Sequence, residues 1–182
     1  MAKSEAAVIL DKEQLNRVLT RIAHEILEHN SGAKNVVIVG IQTRGYIVAN
    51  RLAEKIESIE SQKVKVGALD ISLYRDDIGT NPQPVLKKTE IDFNFTDKHI
   101  VLIDDVLYTG RTIRAAMDAL MDLGRPASIQ LGVLIDRGHR QLPIRPDYIG
   151  KNIPTAIKQR VNVKLAEEDG EDVVVLEASN EK

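Results

Sequence analysis

The sequence contains no cysteine and no tryptophan, and aromatic residues make up only 3% of it. The missing cysteine excludes disulfides, thiolate catalysis and cysteine-ligated zinc, and fits a cytoplasmic setting. The scarcity of aromatics leaves a core to be built from Val, Ile, Leu and Ala. No stretch approaches the roughly 20 apolar residues of a membrane span, so no membrane partner is expected. The opening MAKSEAAVIL lacks the apolar run of a signal peptide. Charge is also nearly balanced, with 25 Lys and Arg against 27 Asp and Glu, a net −2. That balance argues against indiscriminate nucleic-acid binding but leaves room for a local basic face. His24 and His29 have no acid at zinc-ligand spacing, so a transition-metal centre is not expected. What remains is an ordinary soluble composition, 43% hydrophobic and 29% charged over 182 residues, enough for one well-buried domain.

Hydrophobic spacing supplies the framework. Asp11 is a plausible N-cap with Gln14 at capping-box spacing. Leu15, Val18, Leu19, Ile22, Ala23, Ile26 and Leu27 then recur at helical spacing up to Ser31-Gly32. Residues 35–39 read as a buried strand, followed by a helix to about Ser61 and a strand over 64–73. Residues 74–97 lack periodicity and read as a long mobile loop, with room for a short hairpin. A strand over 99–104, a helix over 111–123 and a strand over 128–135 follow, with Gly124 as the residue just past the helix end and Pro126 as a stop signal. Residues 136–159 read as irregular, and 160–165 with 172–176 as a hairpin around EEDGED. The alternation from 35 to 135 predicts an α/β fold, a central parallel sheet flanked by helices. Its ligand loops should lie beyond the carboxyl ends of the strands.

The segment IVLIDDVLYTGRT, residues 100–112, is the most informative. An aliphatic strand runs into two carboxylates, Asp104 and Asp105, and then into a turn at Tyr108, Thr109, Gly110, Arg111 and Thr112 that opens a helix. Free amides and the dipole at a helix start favour an anion, and Gly110 lets the backbone approach it closely. Acids beside such a nest suit a phosphorylated sugar, the carboxylates on vicinal hydroxyls and the nest on a 5′-phosphate. Thr43, Arg44 and Gly45, at another strand end, suit a second phosphate group.

This pattern resembles the phosphoribosyl-pyrophosphate (PRPP) signature of type I phosphoribosyltransferases. The resemblance implies that fold, with a small hood and a C-terminal hairpin, on a single domain covering 1–182. Its core would cover about 11–136, its hood mainly 137–159 with C-terminal strands over 160–177, and its mobile loop 74–97. It implies that residues 43–45 bind pyrophosphate and that the loop opened by Tyr74 and Arg75 closes over the substrate. Mg2+ would enter through PRPP and its waters, near Asp76, Asp77 or Asp104. Asp104, Asp105 and Arg44 are the expected catalytic residues. Asp136, Arg137 and His139, at the end of the last parallel strand, face the acid pair and are the nucleobase candidates. His139 has a second reading, as a satisfied structural histidine.

Three further stretches narrow the family: YRDD at 74–77, DRGHRQLPIRPDYIGKNIPT at 136–155 and LTRIAHE at 19–25. Together they resemble the bacterial regulators of pyrimidine-biosynthesis operons that are also uracil phosphoribosyltransferases, over about residues 7–176. That resemblance implies uracil, PRPP and UMP or UTP as ligands, an operon leader mRNA as partner, and homodimers that can pair into tetramers. An RNA face is also readable from the residues. Arg17, Thr20, Arg21 and His24 share the polar side of the first helix, and Arg140, Arg145 and Lys151 add cations. The alternative reading of that stripe is a solvated helix face. His29 stands where many relatives are expected to carry a basic residue. The competing function is salvage of a purine or other nucleobase without RNA binding.

Overall fold

The computed structural model describes residues 6–76 and 87–178. Asp11 does cap the first helix, α1 (Lys12–His29): its carboxylate accepts the Gln14 N–H at 2.8 Å, and the Gln14 side chain accepts the Asp11 N–H at 3.0 Å. The apolar stripe Leu15, Leu19, Ile22, Ala23, Ile26 and Leu27 is buried, as the spacing predicts. Before it lies a short strand, β1 (Ala7–Leu10), and after it β2 (Val36–Ile41), α2 (Arg44–Glu60) and β3 (Lys65–Leu69). The chain continues through β4 (His99–Leu107), α3 (Arg111–Leu123), β5 (Ser128–Asp136) and β6 (Tyr148–Asn152). It ends with β7 (Arg160–Lys164), the short α4 (Ala166–Asp169) and β8 (Val173–Glu177).

Five strands form the parallel sheet in the order β3-β2-β4-β5-β6. Strand alternation divides the core. Ile38, Val101 and Ile103 pack with α1 and α2, whereas Val39, Ile100 and Leu102 pack with α3. Both faces are therefore covered, which explains the near-continuous aliphatic runs in β2 and β4. The remaining strands form an antiparallel sheet, β1-β8-β7, that joins the α1–α2 side of the core through Val163, Leu165 and Val174.

Several sequence expectations need correction. The strand expected over 64–73 stops at Leu69, because Asp70 accepts the Ser72 N–H and turns the chain. The acid-bearing strand does not end at Asp104. It runs to Leu107, with Asp104 opposite Val133 in the β5 ladder. Residues 136–159 are not wholly irregular, since 148–152 pair with β5 as the fifth parallel strand. Gly150 permits that pairing; a Cβ there would lie 2.2 Å from the Leu134 carbonyl oxygen.

The expected mobile loop of 74–97 is tied down in its second half. Glu90 bridges Ala68 antiparallel, and Phe95 is buried at 4% exposure. Residues 77–86, Asp77 among them, lie outside the described residues. Gly124 does stop α3, in extended backbone with φ 174. Its missing side chain leaves space for Phe95, whose ring would be 2.7 Å from a Cβ.

Candidate active site

The carboxyl end of β4 meets the start of α3 at a cleft of about 290 Å³. Its walls include Asp104, Arg75, Asp76 and the whole turn of residues 108–112 that the sequence marks as a phosphate nest. Gly110, the N-cap of α3, adopts φ +92 and has no side chain to cap the helix, so α3 opens toward the cleft on backbone amides. Thr109 Oγ1 accepts the Arg111 N–H at 3.3 Å.

Asp104 is 7% exposed. Its carboxylate accepts the Asp105 N–H at 2.9 Å, and Asp105 in turn accepts the Val106 N–H at 2.8 Å. Burial, reinforced by the neighbouring Asp105 charge, pushes the Asp104 carboxyl well above the usual carboxylate range. A buried carboxyl with an acid neighbour is costly, which marks the position as more than a turn residue.

The other expected phosphate group, residues 43–45, sits against the same strand. Gly45 packs so closely that a Cβ would lie 2.6 Å from the Ile103 carbonyl oxygen and 3.2 Å from the Asp104 Cα. The Gln42–Thr43 peptide is cis. Thr43 Oγ1 accepts a hydrogen bond from Lys87. Arg44 does not line the cleft. Its guanidinium donates to both carboxylate oxygens of Asp169, from Nε at 3.2 Å and Nη2 at 2.6 Å. Asp169 raises the Arg44 pKa further above its ordinary value, and the Asp105 charge contributes as well.

Two loop residues are placed differently from expectation. Tyr74 turns onto α3, its hydroxyl donating to Asp122 at 2.8 Å, rather than lining the cleft. Asp76 is at the cleft but accepts from Arg111 Nη1 at 2.5 Å, with Arg114 4.0 Å away. Its carboxylate serves the nest arginine rather than standing free for metal waters. Arg111 also reaches Gln141 through Nε at 2.9 Å, so it links two loops across the cleft.

The nucleobase candidates are brought together, but mostly to hold one another. Arg137 is 7% exposed and stacks over the Tyr108 ring at 4.0 Å. It donates to Thr155 Oγ1 and to the carbonyls of Ala156 and Ile157 at 3.3–3.4 Å. His139 Nε2 donates to the Thr155 carbonyl at 2.6 Å, and the ring meets the Tyr108 ring edge-on at 6.1 Å. This supports the structural reading of His139. Asp136 accepts from the Gly138 N–H and from Arg140.

Arg140, expected on the RNA face, is an internal brace instead. It donates to the carbonyls of Ile144 and Tyr108 at 2.9 Å each and to Asp136 at 2.6 Å. The α1 stripe is largely exposed as expected, but its charges are partnered. Arg17 pairs with Glu13 and Arg21 with Glu25. Arg21 also donates to the carbonyls of Ile149 and Gly150 at 3.1 and 2.6 Å, tying α1 to β6. Thr20 accepts from Lys55 at 3.0 Å, and Lys151 reaches the Ile9 carbonyl at 3.2 Å. His24 and Arg145 are exposed, and His29 packs edge-on against Tyr148.

Sequence reasoning missed Asp169, Thr155 and Gln141 as supports of the site. Gln141 and Thr155 lie within the 136–155 stretch that marks the family, and Asp169 within the EEDGED turn that reads as a hairpin tip. Among the described residues, no group of three or more His, Cys, Asp or Glu side chains is placed to hold a metal. Two adjacent carboxylates beside a phosphate nest fit a metal carried in by a polyphosphate rather than one held by protein alone.

The five-stranded parallel sheet, its acid-bearing strand and the nest at the following helix make this a type I phosphoribosyltransferase fold. The phosphoribosyl transferase domain family matches residues 6–168. The chain is 58% identical over 173 residues to the bifunctional protein PyrR of Bacillus cereus (strain AH820), covering 93% of this chain and 96% of that protein. The Bacillus anthracis (strain CDC 684 / NRRL 3495) protein of the same name matches equally, at 58% identity with the same coverage. It follows that the chain belongs to the family of bifunctional PyrR proteins. More distant solved structures share the fold. A Bacillus anthracis hypoxanthine-guanine phosphoribosyltransferase has a TM-score of 0.72 at 18% identity, covering 97% of this chain and 99% of that one. The Leishmania tarentolae enzyme in complex with GMP has a TM-score of 0.72 at 20% identity, covering 96% and 97%.

Proposed function

We propose that the protein transfers phosphoribose from PRPP to uracil, giving UMP and pyrophosphate, and also binds a pyrimidine-operon leader RNA under the control of uridine nucleotides. The observation that carries the transfer reading is the cleft itself, where buried Asp104 and the start of α3 at Gly110 face one cavity. The regulatory half is supported by kinship with bifunctional relatives at 58% identity. It is also supported by the exposed polar side of α1. Purine salvage draws only on fold likeness at 18–20% identity, which says nothing of the base. Homodimers that pair into tetramers, and a cytoplasmic setting, belong to the same proposal.

In this reading the amides of residues 109–112 hold the 5′-phosphate. Asp104 and Asp105 accept from the ribose hydroxyls, and their charge favours cationic character at the anomeric carbon as its bond to pyrophosphate breaks. The uracil nitrogen forms the new bond from the opposite side, and the proton it gives up passes to the departing pyrophosphate. Arg44, beside the acid strand, offsets charge on the departing pyrophosphate. Arg137, stacked on Tyr108, and His139 hold the loop that borders the base rather than grip it. Mg2+ bound with PRPP would add neutralising charge at the pyrophosphate, with Asp104 and Asp105 beside its water shell.

The test is to supply uracil, hypoxanthine and guanine separately with PRPP and Mg2+ and follow pyrophosphate release. RNA retention on filters is measured in parallel with the organism's own pyrimidine-operon leader, with and without UMP. Uracil-dependent release and UMP-enhanced retention are expected. Release with a purine and not with uracil would overturn the substrate assignment. RNA retention that ignores UMP would overturn the regulatory one.

A further inference from the structure

Arg44 begins α2, and Arg51 lies two turns further along the same helix. Both reach the α4 turn of the antiparallel sheet. Arg51 grips Glu167 through Nε at 2.8 Å and Asp172 through Nη2 at 2.7 Å. Arg44 presents the Nε–Nη2 edge of its guanidinium to Asp169, one nitrogen to each oxygen. A guanidinium fork of this kind matches two oxygens of a carboxylate or of a phosphate group. The edge engaged by Asp169 cannot grip a phosphate at the same time.

The position of Arg44 makes this consequential. The Gly45 contact with the Ile103 and Asp104 backbone fixes the start of α2 beside the acid strand. Asp105 is near enough for its charge to act on Arg44. Asp169, in turn, does not depend on Arg44 for its placement. Its Oδ2 accepts the Leu165 N–H at 2.9 Å, its own N–H donates to the Leu165 carbonyl at 2.7 Å, and the Lys164 charge also favours its ionised form. The Arg51 clamp holds the turn in place whichever way Arg44 points.

We infer that Asp169 is an internal competitor for the pyrophosphate group: Arg44 exchanges between the Asp169 carboxylate and the pyrophosphate of PRPP, and returns to Asp169 as pyrophosphate leaves. The inference rests on the phosphoribosyl-transfer reading above. Asp169 is thus a positioning residue that weakens binding of substrate and product pyrophosphate. Among the described residues, its part of the chain, the antiparallel sheet, does not line the cleft. The exchange breaks one partly exposed ion pair and no backbone contact, because the capping bonds to Leu165 remain.

The experiment is calorimetric titration of inorganic pyrophosphate, with Mg2+, into the full chain. Asp169→Asn keeps an acceptor for the Leu165 N–H while removing the charge. It should tighten pyrophosphate by roughly three- to fivefold, the weight of a partly exposed charge-assisted pair. The KM for PRPP should fall by a similar factor while the KM for uracil stays unchanged. In an Arg44→Gln background the same substitution should give no gain. Asp172→Asn, which loosens only the Arg51 clamp, should lower the unfolding midpoint without tightening pyrophosphate. If Asp169→Asn does not fold, Asp169→Ser is held to the same criteria. Unchanged or weaker pyrophosphate binding in the folded variant, or a gain that survives Arg44→Gln, overturns the inference. A wild-type chain that neither binds pyrophosphate nor consumes PRPP overturns the transfer reading itself, which is a different result.

Discussion

Arg140 and Asp136 are joined by a 2.6 Å charge-assisted hydrogen bond at the end of β5, with side chains only 24% and 10% exposed. The same guanidinium holds the carbonyls of Tyr108 and Ile144. One side chain thus braces the nest turn, the loop after β5 and the end of the strand between them. Arg140→Ala leaves a nearly buried carboxylate and two carbonyls without that partner, and should cost about 2–4 kcal/mol. Urea unfolding checks this. A midpoint matching wild type would return Arg140 to the surface role that the sequence implies.

Replacing both acids, Asp104→Asn with Asp105→Asn, should lower uracil-dependent turnover at least about 100-fold, or roughly 2.7 kcal/mol of barrier. The backbone bonds that these side chains accept survive in the amides, so the variant should stay folded. Near-normal turnover in the purified double variant would move the site elsewhere.

The single change Asp104→Asn should raise stability at neutral pH, and the sign of its pH dependence is fixed. Burial holds the folded-state pKa of Asp104 above its ordinary value of 3.8. Between those two values the folded chain keeps a proton that the unfolded chain has released. Wild-type stability therefore falls as pH rises through that window, and the loss persists above it. The advantage of the Asn variant should grow from acid pH upward and then level off. A difference that shrinks with rising pH would mean that Asp104 is stabilised as the carboxylate.

What was legible in the sequence was local. The α1 capping box and its buried stripe lie within single turns of chain, and the nest of residues 108–112 is contiguous. Each could be read from spacing alone. The extent of β4 was not legible, because two adjacent acids look like a strand end unless the ladder to β5 is known. β6 was missed because Gly150 and Lys151 read as loop, whereas the glycine is what lets that strand meet β5. The partners of the key arginines were out of reach for a different reason. Arg44 finds Asp169 across 125 residues, and Arg21 finds Ile149 across 128. No pattern of residue types encodes such pairings; only the packed sheet order brings them together.

Gly110 supplies a test of whether PRPP and UMP share one phosphate site. It adopts φ +92, and a Cβ would lie 3.3–3.5 Å from Ile144 and Leu142. Gly110→Val should cost about 2 kcal/mol through backbone strain, and should weaken both ligands because the nest amides are displaced. Calorimetry that shows loss of only one ligand would mean that the two phosphates occupy different sites.

The α1 face separates regulation from catalysis, and the structure decides which residue to change. Arg21→Gln would confound the two, because Arg21 also carries the Ile149 and Gly150 carbonyls of β6. Its loss should lower stability by about 1 kcal/mol along with any RNA effect. Arg17 is the cleaner probe, 72% exposed and, among the described residues, paired with an equally exposed Glu13 one turn away. An exposed pair of this kind contributes little to the fold, so Arg17→Gln should leave the unfolding midpoint and uracil transfer unchanged. If Arg17 contacts an RNA phosphate, leader affinity should weaken uniformly and the slope of log affinity against log salt should fall by about one. RNA affinity is measured across a salt series, with turnover on the same preparation. Unaltered affinity at every salt concentration would take Arg17 off the RNA face, and loss of turnover would show that α1 is not independent of the cleft.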